Sequence, residues 1–319
     1  MIVRDEERDL PRCLASLAGV ADELVVVDTG STDRTPELAA AAGARVVRIA
    51  WPNDFAVARN VAIEAATGDW ILVLDADEEL PPATRDAVRA EIAEADALGL
   101  AGLSLVQRNL SPPGDVTTYQ DLPIVRLFRR APHVRYEGQI HEQVSPSIVR
   151  AGGALGASDL HFLHHGYATP LAQGHSRAHR NLALLEAATR DAPEDAYLAF
   201  QLGATQKAVG DPAAEATLER ALVLQARTHD LSPSAEADAR MKLAQLLLAR
   251  GADAAALAEA GRCLAIDPRN VVALQMTIVA TVALERFGDA ATACRALLAC
   301  ANVAEATRAD TAQLLAMLR

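Results

Sequence analysis

The chain of 319 residues is poor in aromatic side chains, in cysteine and in positive charge. Aromatic residues make up 3% of the sequence, and the 30 lysines and arginines are outnumbered by 42 aspartates and glutamates, for a net charge of −12. Because an acidic protein repels a nucleic-acid backbone, we exclude nucleic acid as a partner. The same imbalance favours recognition of phosphate through a metal ion over recognition by basic side chains alone.

The four cysteines lack the spacing of a metal site or of a disulfide framework (Cys13, Cys263, Cys294 and Cys300). Reduced, buried thiols in a cytosolic protein are therefore expected. No stretch approaches the roughly 18 uninterrupted apolar residues of a membrane span. Charged residues follow the first three positions at once, so no signal peptide is visible. These absences predict a soluble, cytoplasmic protein without a transmembrane segment.

Short apolar runs alternate with helical patterns through the first half of the chain. The runs at 1–3, 24–27, 45–49 and 70–74 are typical of strands, and helices are predicted at 6–17, 35–42 and 56–66. This βαβαβαβ order predicts a mainly parallel sheet with right-handed crossovers. Neither a G-x-G-x-x-G dinucleotide fingerprint nor a phosphate-binding P-loop is present, so both of those site types are excluded.

A cluster of acidic residues follows the predicted strand 70–74, namely Asp75, Asp77, Glu78 and Glu79. Ligands of open α/β sheets bind at the carboxyl ends of strands, which is where this cluster lies. Carboxylate oxygens suit Mg²⁺ or Mn²⁺. Such an ion could bridge two phosphates and neutralise charge on a departing diphosphate. The plainer alternative is a solvated acidic loop.

Two more candidates lie in neighbouring segments. Asp28 ends the strand before Gly30 and Ser31, where its carboxylate could accept from a ribose hydroxyl or a base N–H, although it could also serve as a helix cap. Arg59 falls on the first turns of a helix, so its guanidinium could bind a phosphate or the acidic cluster, unless it is a plain surface arginine. Since Asp28 and Asp75 both follow parallel strands, we expect them to converge on one crevice.

These residues belong to four motifs that resemble the family 2 glycosyltransferases of the GT-A fold. The motifs are M-I-V-R-D-E-E at 1–7, V-D-T-G-S-T-D-R-T at 27–35, A-R-N at 58–60 and L-D-A-D-E at 74–78. The resemblance covers about the first 165 residues. It implies an α/β GT-A domain that uses a nucleotide-diphosphate sugar, with a UDP-sugar expected first, and a divalent metal, Mn²⁺ or Mg²⁺.

The same resemblance implies a role for each matched position. Glu6 and Asp28 would contact the nucleoside, and Asp75 would lie beside the ribose and diphosphate. Asp77 would be the metal ligand, and Arg59 would lie near the diphosphate. Each role suits its side chain, because carboxylates accept from ribose hydroxyls or bind hard cations and a guanidinium binds phosphate.

The second part of this domain should receive the acceptor. Strands are predicted at 103–107, 124–128 and 140–144. Inverting sugar transfer needs a base to take the proton of the acceptor hydroxyl. The segment Ile140-His141-Glu142 resembles the place where many relatives carry an acidic pair, so Glu142 is the base candidate. His141 departs from that pair, and Asp121 or His141 would be the next candidates. An acidic residue at a strand edge is the alternative.

Three histidines follow, at 161, 164 and 165. Imidazole can complete a metal site begun by carboxylates. Some GT-A enzymes use such a late histidine, which makes His165 the candidate third metal ligand and His164 the alternative. Histidines that merely bind backbone carbonyls are an equally simple interpretation.

Beyond about residue 190 the sequence indicates helices only. A GT-A domain at 1–170, a linker helix at 171–193 and helical repeats at 194–319 are the predicted organisation. Turn signals at Gly210, Gly251 and Gly288-Asp289 separate helices in a layout that resembles tetratricopeptide (TPR) repeats, with looser spacing than their period of roughly 34. Such repeats could recognise an acceptor or a protein partner, or only cap the enzyme.

Two functions remain open from the sequence. One is an inverting, metal-dependent glycosyltransferase acting on a saccharide, lipid-linked or protein acceptor. The other is a non-catalytic GT-A-like scaffold that binds a protein partner through its repeats. The enzyme is favoured because the sequence contains Asp28, Arg59, Asp75 and Asp77 together, which a non-catalytic binding module would have little reason to keep. We also expect either that the natural start lies upstream of Met1 or that the first strand is cut short, so that an apolar extension would raise the melting temperature.

Overall fold

The computed structural model describes residues 1–110, 122–165, 171–301 and 303–318. The chain divides into two compact units, Met1–Pro170 and Leu171–Arg319. The first unit is α/β and the second is all-α. Asp121, one of the alternative base candidates, lies outside the described residues, as do Gly166 and Tyr167 after the histidines.

A small parallel sheet opens the first unit. Its strands, in the order β1-β2-β3, are Ile2–Val3, Val25–Asp28 and Arg45–Arg48. Three helices accompany it, α1 at Leu10–Ser16, α2 at Thr35–Ala41 and α3 at Phe55–Ala65. The alternating elements predicted for this region are confirmed, although α1 begins later than the periodicity indicated. Asp54 caps α3 by accepting from the Val57 amide, which fixes where that helix starts.

The rest of the first unit is a mixed sheet of five strands, in the order β4-β7-β6-β8-β5. These strands are β4 at Trp70–Leu72, β5 at Glu78–Glu79, β6 at Leu100–Asn109, β7 at Leu122–Arg129 and β8 at Ala154–His164. Helix α4 spans Pro82–Ala97 and α5 spans Ser145–Arg150. The strands predicted at 103–107 and 124–128 are confirmed as parts of β6 and β7.

The expectation of one mainly parallel sheet through all four early strands is wrong. β4 pairs antiparallel with β7 and forms the edge of the mixed sheet, while β1 forms the edge of the parallel sheet. A cavity of about 440 Å³ lies between these edges, lined by Met1, Ile2, Leu24–Val26 and Trp70–Val73 among others. β1 has only two residues, so it is too short to cover the edge of β4.

The strand predicted at 140–144 is also wrong. One isolated bridge joins Glu137 to Gln143, and His141 has a left-handed φ of 55° that interrupts an extended strand. Ile140 and Val144 are nevertheless buried, so the apolar alternation reflects a packed loop that leads into α5.

Apolar clusters cover both faces of the mixed sheet. Leu127 packs with Leu105 and Phe162 on one face, and Phe128 packs with Val144 on the other. Successive strand residues point to opposite faces, which explains this division. A further cluster links the two sheets of the unit, because Ala76 in the acidic turn packs with Val3, Leu10 and Val26.

The second unit consists of helices that pack in sequential pairs. The helices are α6 at Leu171–Asp191, α7 at Ala196–Val209, α8 at Ala214–Thr228, α9 at Pro233–Ala249, α10 at Asp253–Ile266, α11 at Val271–Ala283, α12 at Phe287–Leu298 and α13 at Glu305–Met317. The first helix of each pair carries a side-chain N-cap (Asp195, Ser232 and Asn270). These caps repeat at intervals longer than the roughly 34 residues of regular TPR repeats. The predicted all-α repeat architecture is confirmed.

The turns between helices follow the glycines in part. Gly210 ends α7 with a left-handed φ of 76°, and Gly251 follows α9 with a φ of 78°. The turn predicted at Gly288-Asp289 is wrong, because α12 already begins at Phe287 and Glu285 takes the left-handed φ of 57°.

All four cysteines are buried and unpaired. No helix in the part of the chain that the structure describes combines the length and the apolar character needed to span a bilayer.

Candidate active site

The acidic turn and the histidine segment meet in the structure. β5, at the end of the turn, pairs antiparallel with the end of β8, so that Glu78 lies opposite His164. The turn is closed by two hydrogen bonds. The Glu78 amide donates to the Asp75 carbonyl at 3.0 Å, and the Asp75 amide donates to the Glu78 carboxylate at 2.8 Å. Two segments that are far apart in sequence thereby form one site.

A chain of ion pairs with alternating charge runs through this site, in the order Glu142, Arg59, Asp75, Arg126 and Glu78. Arg59 donates from Nε to Glu142 Oε1 at 2.5 Å, and its Nη1 lies 2.8 Å from Asp75 Oδ1. Arg126 donates from Nη2 to Asp75 Oδ2 at 3.1 Å and to Glu78 Oε1 at 2.8 Å. We call these five residues the buried ion-pair chain.

Burial and the two arginines set the acidity of this chain. Burial alone would raise the pKa of Asp75, but the guanidinium groups of Arg59 and Arg126 hold it well below its usual range. Burial also raises the pKa of Glu78 above its usual range, and the Arg126 guanidinium offsets only part of this effect. Asp75 is therefore ionised at any physiological pH.

Aromatic rings support both guanidinium groups. Arg59 lies 5.4 Å from the ring centre of Tyr136, and Arg126 lies 5.4 Å from that of Phe162. Such contacts favour a buried cation that has left water. The buried ion-pair chain contains three carboxylates and two guanidinium groups. An incoming diphosphate would therefore have to compete with carboxylates for Arg59.

Asp77 lies beside His164, with His164 Nε2 3.5 Å from Asp77 Oδ2. The other ring nitrogen, Nδ1, is 2.8 Å from the side-chain oxygen of Asn109. Because an amide oxygen only accepts, Nδ1 carries the proton and Nε2 is the nitrogen that faces Asp77. Burial lowers the pKa of His164, but its hydrogen bond with Asp77 outweighs this effect and raises the pKa above 6.5.

His165 has a different partner from the one predicted. Its Nε2 lies 3.0 Å from Glu79 Oε2, and its amide donates to the Asp77 carbonyl at 2.9 Å. Arg12 Nε lies 3.6 Å from the same Glu79 oxygen. The ring of His165 thus points to Glu79, and it is the alternative residue, His164, whose ring lies beside Asp77. No group of three metal-ligating side chains occurs among the described residues.

The two loops at the carboxyl ends of β1 and β2 hold Glu6 and Asp28. Asp28 is buried, and its Oδ1 accepts from the Ser31 amide at 3.0 Å, which closes the turn after β2 without capping α2, because that helix begins at Thr35. The Glu6 amide donates to Thr35 Oγ1 at 2.7 Å. The Thr32 amide donates to the Asp5 carboxylate at 2.7 Å. These bonds join the two loops into one rim.

Residues 1–143 match the model of glycosyl transferase family 2. Residues 1–143 are therefore similar to the glycosyltransferases of family 2.

Two relatives and one solved structure are also similar to this chain. A TPR repeat-containing protein of Synechococcus elongatus is 42% identical over 221 residues, which cover 66% of this chain and 52% of that protein. The SPbeta prophage-derived glycosyltransferase SunS of Bacillus subtilis is 28% identical over 64% of this chain and 47% of its own. The crystal structure of S. aureus TarS superposes with a TM-score of 0.42 and 17% identity over 72% of this chain and 52% of its own. The chain spans about half the length of the curated relatives that it matches.

Within residues 1–143, the structure brings Arg59, Asp75 and Glu142 into direct contact. Sequence reasoning missed the fourth partner, Arg126. The available signal was a single arginine inside the apolar run of β7, where a buried cation requires carboxylate partners. The pairing of β5 with β8, which brings His164 to the turn, had no signal in local sequence.

Proposed function

We propose that the protein is an inverting, metal-dependent glycosyltransferase that moves a sugar from a nucleotide-diphosphate donor to an acceptor. The observation that carries this proposal is the buried ion-pair chain, in which Arg59 lies between two carboxylates inside a family 2 domain. A buried guanidinium with two exchangeable anionic partners suits a diphosphate that enters and leaves. A UDP-sugar is the first donor to test, and a hexose is the first sugar.

In the proposed reaction, the acceptor hydroxyl oxygen attacks the anomeric carbon while the bond from that carbon to the diphosphate oxygen breaks. The hydroxyl proton passes to a base, and the nucleoside diphosphate departs with the bonding electrons. Glu142 is the proposed base. It is bound by Arg59, and its side chain is 10% exposed, so it becomes free to accept a proton only when Arg59 changes partner. Entry of the diphosphate supplies the competing anion.

The proposed metal site is Asp77 with His164. Asp77 offers a hard oxygen, and His164 turns Nε2 towards it because Nδ1 is held by Asn109. This donor set fits Mg²⁺ or Mn²⁺, which are commonly bound by one or two protein ligands together with substrate phosphates. When bound, such an ion would neutralise charge on the departing diphosphate. His165 remains a less direct candidate, because its ring contacts Glu79.

We propose that Glu6 and Asp28 contact the nucleoside from the rim of joined loops, and that Asp75 lies beside the ribose and diphosphate. The helical repeats from about residue 194 are proposed to select a saccharide, lipid-linked or protein acceptor, or to bind a partner protein. The four buried, unpaired cysteines fit the reducing cytoplasm.

The test begins with a panel of nucleotide sugars, each assayed for Mn²⁺-dependent hydrolysis and for thermal stabilisation of the full chain. Asp77→Ala should abolish donor turnover and leave the helical circular dichroism signal unchanged. Asp159→Ala removes an exposed carboxylate from β8 and serves as the matched control, with turnover expected to stay within about twofold. Full turnover by Asp77→Ala in the presence of a chelator would refute the metal assignment. Absence of binding and hydrolysis across the panel would favour the scaffold alternative.

A further inference from the structure

We propose that Arg126 is a positioning residue that holds Asp75 in place while Arg59 turns to the diphosphate of the donor. This inference rests on the proposed function. Of the two buried arginines, Arg126 is then the fixed partner of Asp75 and Arg59 is the partner that exchanges.

The backbone of β7 is built to point Arg126 at the acidic turn. Leu127 pairs with Leu103 of β6, but the next pair joins Val125 to Ser104, so Arg126 is an extra residue in a β-bulge. In a bulge, the extra residue leaves the regular alternation and its side chain is re-aimed. Arg126 accordingly lies over Phe162, a member of the same apolar cluster as its neighbour Leu127.

Arg126 is fixed by a closed ring of contacts within the turn. Its Nη2 binds Asp75 and Glu78, and the second oxygen of Glu78 accepts the Asp75 amide at 2.8 Å. Glu78 is 1% exposed, so water does not compete for this pair. Charge-assisted hydrogen bonds of this kind are strong and directional. Moving Arg126 would leave the buried carboxylate of Glu78 and the partly exposed carboxylate of Asp75 next to each other without a shared cation.

Arg59 is held in a different way. It connects Asp75 to Glu142, and Glu142 lies 83 residues after Arg59 in the sequence, in the loop before α5. Both of its partners are carboxylates on separate segments, so a diphosphate can replace one without dismantling the turn. Once Arg59 has turned to the diphosphate, Arg126 remains as the cation that keeps Asp75 oriented.

The test uses the full chain and Arg126→Lys, with Arg129→Lys as the matched control. Arg129 lies on the same strand and is half exposed. It binds Asp96 and lies 5.3 Å from the ring centre of Trp70, so it makes the same two kinds of contact as Arg126, a carboxylate and an aromatic ring, away from the site. The probe is whichever of UDP, GDP and ADP binds the unmodified protein best with Mn²⁺, together with its monophosphate. Dissociation constants, the KM of the donor, kcat and melting temperature are measured.

We expect Arg126→Lys to weaken nucleoside-diphosphate binding and raise the donor KM by about 10- to 100-fold, because both contacts are made by Nη2 at the tip of the guanidinium, which the shorter lysine side chain does not reach. The monophosphate should lose less affinity, since it draws Arg59 away less strongly. Arg129→Lys should stay within about twofold for every binding and kinetic parameter. The double variant Arg126→Met with Glu78→Gln removes one charge of each sign, and it should fold but bind the diphosphate at least as weakly.

An Arg126→Lys protein with a lower melting temperature but unchanged diphosphate affinity and KM would overturn the proposal and leave a purely structural role. Equal losses for diphosphate and monophosphate would overturn the exchange of Arg59. If the unmodified protein binds and turns over no nucleotide sugar, the proposed function itself fails, and this role fails with it.

Discussion

The cavity between β1 and β4 leads to a prediction about stability. The apolar walls of this cavity include the edges of two strands. The amino group of Met1, a lining residue, donates a hydrogen bond to the Val25 carbonyl at 2.9 Å. Burial, assisted by the nearby Arg59, lowers the pKa of this amino group from 8.0 to about 6. An engineered extension of about four apolar residues ahead of Met1, a typical strand length, should fill the cavity and replace the amine by a peptide N–H.

The magnitude follows from two effects. Burying each apolar side chain contributes about 1.5–3 kcal/mol, and ordering each residue costs about 1–2 kcal/mol, so at the middle of both ranges four buried residues should add about 3 kcal/mol to the free energy of unfolding. Removing the amine adds a pH-dependent gain. The unfolded chain binds the amino proton more tightly than the folded one, so the stability of the unmodified protein falls as pH drops from about 8 to about 6. The loss should be about 2 kcal/mol.

The assay is denaturant unfolding from about pH 5.5 to about pH 8.5 for three proteins: the unmodified chain, one with the extension Ile-Val-Leu-Val, and one with four serines. Both extensions should lose the amine-dependent slope in this window, while the shared titration of buried Glu78 cancels in the comparison. Only the apolar extension should also gain stability at high pH. Equal stability of the apolar and serine extensions would show that the cavity does not accept a strand. An unchanged pH slope in both would show that the amino group does not titrate there.

Three further outcomes are expected. Glu142→Gln removes a negative charge that competes for Arg59, so it should bind donor at least as tightly as the unmodified protein and lose roughly 10²–10⁴ in transfer rate, and unchanged kinetics would move the role to His141 or Asp121. Truncation near Arg190 should spare donor hydrolysis and impair transfer to the true acceptor, whereas transfer at the full rate would show that the repeats do not select it. Gly203→Ala places a Cβ 2.8 Å from Leu218, so the melting temperature should fall relative to Gly261→Ala, which meets no atom within 4 Å. The difference in unfolding free energy should be about 1–3 kcal/mol, and equal melting temperatures would contradict the close helix packing.

Local sequence was enough to predict most elements of both units and to single out several candidate site residues. β-Branched runs predicted β2 and β3, and helical periodicity predicted α2 and α3, because each pattern repeats over neighbouring residues. The acidic turn after β4 was visible because four carboxylates follow an apolar run within a few positions. Small residues and turn signals likewise identified the repeats, since each helix pair has the same packing problem.

Sequence patterns gave wrong or missing predictions where the same pattern is compatible with two different structures. Buried alternation at 140–144 belongs to a loop, because Ile140 and Val144 pack without a strand partner. Arg126 was missed because a β-bulge is a property of two paired strands, and the sequence of β7 alone does not reveal it. The turn before α12 uses Glu285 in the left-handed region, where a glycine was the expected signal.

The sequence by itself determined which residues are the candidates for the chemistry: carboxylates at 28, 75 and 77, a guanidinium at 59 and histidines at 164 and 165. Tertiary structure alone decided their partners. Pairing of β5 with β8 brought His164 to Asp77 and left His165 with Glu79, and the bulge in β7 placed Arg126 between Asp75 and Glu78. The physical reason is that residue type is encoded locally, whereas the partner of a buried charge depends on which distant segments pack together.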